Sequence, residues 1–331
     1  MLRRRLPCGP ALGAALGLIT ALAGCGGSGG AAGTTSTARS GPTAAGRPAA
    51  TSNAAPTPTV PRRPPPPRYP VVLGASLGHL GSQFAPVVSV RGQTAAWIAR
   101  PPGGVTLLYL NRALVTLTLH SGTVDAGSSG WHYGPAIVDG ERRRVLAAFN
   151  GGFKLATEAG GFESYGRTAS PLRGGLGSIV TYADGTTNIG AWQEGVPSRA
   201  SRVVSVRQNL SLLIDHGRAA GNVECVSCWG ATLGGGPEVA RSALGITADG
   251  QLVWAAGESL SVSRLTEALL KAKVARAVEL DINPQWVAGY LYRHRGSGRP
   301  LEAIPLVPGQ NGVGGSFLEP YSRDFFAVRE R

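Results

Sequence analysis

Apolar positions along this chain gather into short runs rather than long helical stripes. The runs are Ala95–Ala99, Val105–Tyr109, Leu114–Leu119, Arg144–Phe149, Ser178–Tyr182, Arg202–Val206, Ser211–Ile214, Ala243–Thr247, Leu252–Ala256 and Arg276–Leu280. Gly, Pro and Asp-Gly separate them, which is the punctuation of strands and turns. Asp184-Gly185 and Asp249-Gly250 each stand between two runs and predict hairpins. One segment has a different period. Leu265, Ala268, Leu269 and Ala272 fall at helical spacing behind Ser263, which predicts a serine-capped helix leading through Val274 into the strand Arg276–Leu280. The predicted class is α+β: strand-rich, with a mainly antiparallel sheet, few helices and a single globular domain.

The first 68 residues lack this pattern. Arg3, Arg4 and Arg5 precede an apolar run, Ala11–Ala23, broken only by glycines and Thr20. That is a charged n-region followed by an h-region too short to span a membrane in a mature protein. The run ends in Leu22-Ala23-Gly24-Cys25, which resembles the lipobox of bacterial lipoproteins. Small residues let the backbone enter a peptidase, and the Cys25 thiol takes the lipid. The competing reading is an ordinary secretory signal with Cys25 incidental. From Gly26 to Arg68 the chain is Gly, Ala, Ser, Thr, Pro and Arg apart from Asn53 and Val60, with no aromatic residue. Such a stretch buries too little apolar area to offset its ordering entropy. Its reach is between ~40 Å as a coil and ~130 Å as polyproline II. The expected organisation is a lipoprotein signal over 1–24, a lipid-anchored spacer over 25–68 and a globular domain over 69–331. The expected location is the extracytoplasmic face of the cell membrane, held by more than one acyl chain.

A net charge of +13 raises the question of nucleic acid. The first 124 residues hold eleven arginines and no acidic residue, whereas the remaining 21 basic residues face all 19 acidic ones. The excess therefore belongs to the signal, the spacer and the first strands. It suits an anionic lipid or wall polymer and not a nucleic-acid groove.

Cys8 leaves with the signal and Cys25 is assigned to lipid, so Cys225 and Cys228 remain. In an oxidising compartment their spacing reads as a local disulfide. A redox-active pair is the alternative, and it needs a strand before the pair and a helix starting at the first cysteine. The five histidines show no triad or metal spacing.

Three segments combine a strand end with polar groups and glycines. Ala147-Ala-Phe-Asn-Gly-Gly-Phe153 stops a strand at Asn150, and Gly151 and Gly152 then permit close approach; alone, it also reads as a simple glycine turn. Arg241 follows a glycine-rich loop and precedes an apolar strand, which suits bidentate capture of phosphate or carboxylate, or a salt bridge. In Ala277-Val-Glu-Leu-Asp-Ile-Asn-Pro-Gln-Trp286, alternation puts Glu279 and Asp281 on one face. Trp286 is either a sugar-stacking platform or core.

Taken in order, Asn-Gly-Gly-Phe, then Arg-Ser-Ala-Leu-Gly-Ile with a following Asp-Gly, then a helix running into a strand that ends Leu-Asp, resemble the phosphodiester glycosidase family. The resemblance covers roughly Val145 to Trp286. The closing Tyr321-Ser-Arg-Asp-Phe-Phe326 fits exported actinobacterial members. The family resemblance implies active-site roles for Asn150, Gly151, Gly152, Arg241 and Asp281. One departure stands out: Ile282-Asn-Pro-Gln285 replaces a glycine-rich, Ser-containing loop, which is expected to reshape the pocket floor and remove backbone donors.

The implied reaction is hydrolysis of a sugar-1-phosphodiester at the anomeric carbon. A phosphate monoester leaves as a stable anion, so the acid that ordinary glycosidases need is less necessary. Asp281 would be the carboxylate, Arg241 the phosphate ligand, and Asn150 and Asn283 polar donors. Glu163 is a candidate second carboxylate. No cofactor is assigned; a calcium ion stays open, although no calcium-loop pattern is present. The alternative is a non-catalytic wall-polysaccharide binder with Trp229 and Trp286 as stacking platforms and Arg241 reading phosphate. A thiol–disulfide protein is a third reading.

Overall fold

The apolar runs become eighteen strands in a computed structural model that describes residues 84–198, 201–296, 299–311 and 314–331. Cys25, the signal and the spacer lie outside the described residues. In chain order the strands are β1 Ala85–Val90, β2 Gln93–Ala99, β3 Thr106–Leu110, β4 Val115–His120, β5 Val145–Asn150, β6 Phe162–Ser164, β7 Arg167–Ser170, β8 Gly177–Tyr182 and β9 Thr187–Ala191. They continue as β10 Val203–Gln208, β11 Ile214–Asp215, β12 Arg218–Ala219, β13 Val239–Thr247, β14 Leu252–Leu260, β15 Val274–Glu279, β16 Gly289–Arg293, β17 Glu302–Pro305 and β18 Phe325–Glu330. Helix α1 is Asp139–Arg142 and helix α2 is Val262–Lys271.

The strands form an eight-stranded sheet of order β1-β2-β3-β14-β13-β15-β11-β12 and two five-stranded sheets, β7-β6-β10-β8-β9 and β17-β16-β5-β18-β4. Every pairing between these strands is antiparallel. Both Asp-Gly hairpins form, joining β8 to β9 and β13 to β14. With two helices among the described residues, one of them four residues long, the α+β expectation is corrected to a mostly β architecture.

Strands β13 to β15 are buried on both faces, which is why they read as nearly continuous apolar runs. Leu244, Ile246, Trp254 and Val278 share one core with Leu117 of β4, Phe149 of β5, Ile179 of β8 and Phe326 of β18. Ala243, Val253, Ala255 and Ala277 on the opposite face share a second core with Leu265 and Leu269 of α2. Each fully buried Leu or Val contributes about 1.5–3 kcal/mol.

Two local expectations are corrected. The cap of α2 is Ser261, whose Oγ accepts from the Arg264 N–H at 3.2 Å, not Ser263. The helix starts earlier because Val262 is drawn into the core, and the Ser263 hydroxyl instead donates to Glu224 at 2.6 Å. Of Ser211–Ile214, only Ile214 is in a strand, because the chain bends at Leu210, with φ 52°. No helix among the described residues is long and apolar enough to cross a membrane.

Candidate active site

The three segments marked by strand ends and glycines do converge. Asn150, the last residue of β5, donates from Nδ2 to Ser242 Oγ on β13 at 2.9 Å. The Ser242 hydroxyl lies 3.2 Å from both the N–H and the carbonyl of Asp281, just past β15. Asn150 also accepts at Oδ1 from the Ala288 N–H at 3.3 Å. It is a buried brace between sheets and is not among the residues that line the cleft beside Asp281.

Gly151 and Gly152 make room for a buried ion pair. A Cβ on Gly151 would sit 2.0 Å from Asp324 Oδ2, and one on Gly152 would sit 2.8 Å from Arg207 Cζ. Arg207 of β10 grips Asp324 with Nε at 2.7 Å and Nη2 at 3.0 Å. The Gly152 N–H donates to the same carboxylate at 3.3 Å. The glycines therefore serve close packing of charged side chains beneath the site.

Asp281 stands at the edge of a cleft of about 520 Å³ lined also by Arg323, Trp286, Asn283, Lys154 and Cys228. Its Oδ1 accepts from the Ile282 and Asn283 N–H groups at 2.8 and 2.9 Å, and its Oδ2 meets Arg323 Nη2 at 3.1 Å. The Ile282–Gln285 departure thus keeps two backbone donors and directs them at the carboxylate. Burial pushes the Asp281 pKa up to about 6; Arg323 and the two N–H groups pull the other way, and Asp324 adds to the rise. Arg323 is also ion-paired through Nε to Asp125 and donates from Nη2 to the Gly152 carbonyl at 2.9 Å. Its Cζ lies 5.2 Å from the Trp286 ring centroid, within cation–π range. Asn283 spends its Oδ1 on the Gln285 N–H at 2.9 Å, so its side chain shapes the loop.

Arg241 does not reach this cleft. It is 0% exposed, pairs with Glu279 at 2.8 Å and donates to the Leu260 carbonyl at 3.0 Å. Burial pushes Glu279 up to about 7 against the pull of Arg241, with Asp281 adding to the rise. Arg241 also donates from Nη1 to the Trp229 carbonyl at 3.4 Å, in the loop that carries Cys228. Trp229 itself is 0% exposed and packs in the second core, so it offers no stacking surface to a polysaccharide. Glu163 lies in β6, where its carboxylate takes the Thr168 hydroxyl at 3.4 Å, and it too is away from the cleft.

Cys225 and Cys228 are disulfide-bonded. They lie in a loop with a four-residue 3₁₀ turn, Val226–Trp229, and not at the start of an α-helix. The strand–helix setting that a low-pKa thiol requires is therefore missing around them.

No family model and no curated protein matches the chain. Among solved structures, it is similar to the catalytic domain of zebrafish N-acetylglucosamine-1-phosphodiester alpha-N-acetylglucosaminidase, auto-inhibited by its pro-peptide. The identity is 16% and the TM-score 0.45, over 75% of this chain and 82% of that one. It is also similar to a hypothetical protein from Synechocystis, at 15% identity and TM-score 0.43, over 75% of this chain and 64% of that one. Neither likeness bears on the chemistry of the cleft.

Sequence reasoning missed Arg207, Asp324, Arg323, Asp125 and Ser242. A signal existed for three of them. Arg207 is a charge directly after the mostly apolar run Val203–Val206, and Arg323-Asp324 opens the apolar run Phe325–Val328. Charges in such positions are buried only when paired. Among the described residues, no group of three or more His, Cys, Asp or Glu is placed to hold a metal ion. The three aspartates near the cleft are instead paired with Arg207 and Arg323.

Proposed function

We propose that this protein is an extracytoplasmic hydrolase that cleaves sugar-1-phosphodiester bonds in a cell-surface or extracellular glycopolymer, tethered to the membrane through Cys25. The observation that carries this reading is Asp281: a buried carboxylate at a cleft edge, beside a guanidinium and an aromatic ring, where the three motifs of the family resemblance meet. Ionised Asp281 would act on the anomeric carbon directly or take a proton from the attacking water. The C1–O bond then breaks and the phosphate monoester departs with its electron pair. Trp286 offers an apolar face for the sugar ring.

The test is release of free sugar from a panel of sugar-1-phosphodiesters by folded wild-type protein. An aryl glycoside without phosphate should be a poor substrate. A folded protein that releases no sugar but retains wall polymer in a pull-down would favour the binding-module reading.

Activity that needs ionised Asp281 should follow its raised pKa. Below about 6 the carboxyl carries a proton and is inert, so kcat/KM should climb as pH rises through that value and level off near neutrality. A limb near pH 4, where an ordinary carboxylate titrates, would show that the rate does not depend on a carboxyl with a raised pKa.

The anchoring part of the proposal has its own check. Cys25→Ala should move the exported protein from the membrane to the soluble fraction, and unchanged membrane retention would refute lipidation at that residue.

A further inference from the structure

We propose that Arg323, assisted by Lys154, is the cationic site that holds the anionic group of a ligand in the Asp281 cleft, in place of Arg241. This inference rests on reading the cleft as a site for an anionic sugar ester.

The guanidinium of Arg323 is held but not used up. Nε is taken by Asp125, and Nη2 by the Gly152 carbonyl and Asp281. Nη1 has no hydrogen-bond partner among the described residues and is not among the fully buried unpaired atoms. Since Arg323 lines the cleft, this nitrogen is the one left to face a ligand. Two carboxylates fix the plane of the fork beforehand, so little side-chain freedom is lost when an anion binds.

The charge balance calls for a second cation. Asp125, Asp281 and Asp324 stand against Arg323 and Arg207, three carboxylates to two guanidiniums. An incoming phosphate beside that cluster would be repelled unless another positive charge offsets it. Lys154 lines the same cleft, as does Glu158; Lys154 is exposed and has no ion pair among the described residues, so its charge remains available to an anion. It lies two residues beyond Gly152, whose carbonyl Arg323 holds, so their Cα atoms are within about 7 Å. Arg241 differs: its unpartnered nitrogen, Nη2, is fully buried, and the residue is 0% exposed, does not line the cleft and is paired with Glu279.

The experiment is calorimetric titration of the folded full chain with inorganic phosphate. Wild type should bind. Lys154→Gln, an exposed change, should raise Kd severalfold. Arg323→Lys keeps the charge but loses the fork, and should raise Kd about tenfold or more. Should Arg323→Lys fail to fold, NMR of the arginine side chains in wild type answers the same question. The Arg323 guanidinium resonances should move on phosphate addition while those of Arg241 stay. Absence of phosphate binding by wild type, unchanged Kd in both variants, or a shift at Arg241 alone would overturn the inference. Phosphate binding as expected with no phosphodiester cleaved leaves this site standing and removes the hydrolase reading. Cleavage with phosphate affinity indifferent to Lys154 and Arg323 does the reverse.

Discussion

Asp281→Asn should lower turnover of a sugar-1-phosphodiester by about 10²–10⁴-fold while the fold survives. The substitution keeps the shape of the side chain and removes its charge. An Asn oxygen can still accept from the Ile282 and Asn283 N–H groups that now bond Oδ1. The Asn NH₂ would then face Arg323 Nη2, donor against donor, where an ion pair stood at 3.1 Å. Arg323 keeps Asp125 and the Gly152 carbonyl, so the guanidinium is not left without a counter-charge. The stability loss should therefore be modest, about 1–3 kcal/mol. Steady-state kinetics beside a thermal melt separate the two effects. Retention of activity within tenfold of wild type would show that another group carries the reaction.

The largest loss of stability is expected from Asp324→Ala, at about 3–5 kcal/mol. Arg207 is 1% exposed and Asp324 also 1%. Removing the carboxylate strands the guanidinium in a dry site, where the Gln208 and Phe153 carbonyls give hydrogen bonds but no negative charge. The Gly152 N–H loses its acceptor as well. For a domain of this size, the melting temperature should fall by about 6–20 °C. Denaturant unfolding of the two proteins measures the difference. A change below about 1 kcal/mol would mean that the pair is solvated in solution and does not underpin the site.

Much of the framework was legible before any coordinates. The runs Val105–Tyr109, Ala243–Thr247 and Leu252–Ala256 became neighbouring strands, and both Asp-Gly turns formed hairpins. Apolar alternation and turn chemistry act between residues close in sequence, so a single chain displays them openly. Asn150, the Arg241 segment and Asp281 were also marked by their strand ends, and they meet through Ser242. The strands that escaped notice include the short β6, β7 and β17, and also β18, whose first four residues are buried.

The roles within the site divide along the same line. Sequence alone determined that Asp281 ends an apolar strand, that two glycines follow Asn150, and that Cys225 and Cys228 suit a local disulfide. Only the tertiary structure decided that Arg241 is sealed against Glu279, that Glu163 and Trp229 stand apart from the cleft, and that Arg323 faces Asp281. The pairs that settle those roles join residues 38, 42 and 117 positions apart: Arg241 with Glu279, Arg323 with Asp281 and Arg207 with Asp324. A buried charge is tolerated only where its partner is, and which partner it meets depends on how distant strands pair and sheets stack, not on any period along the chain.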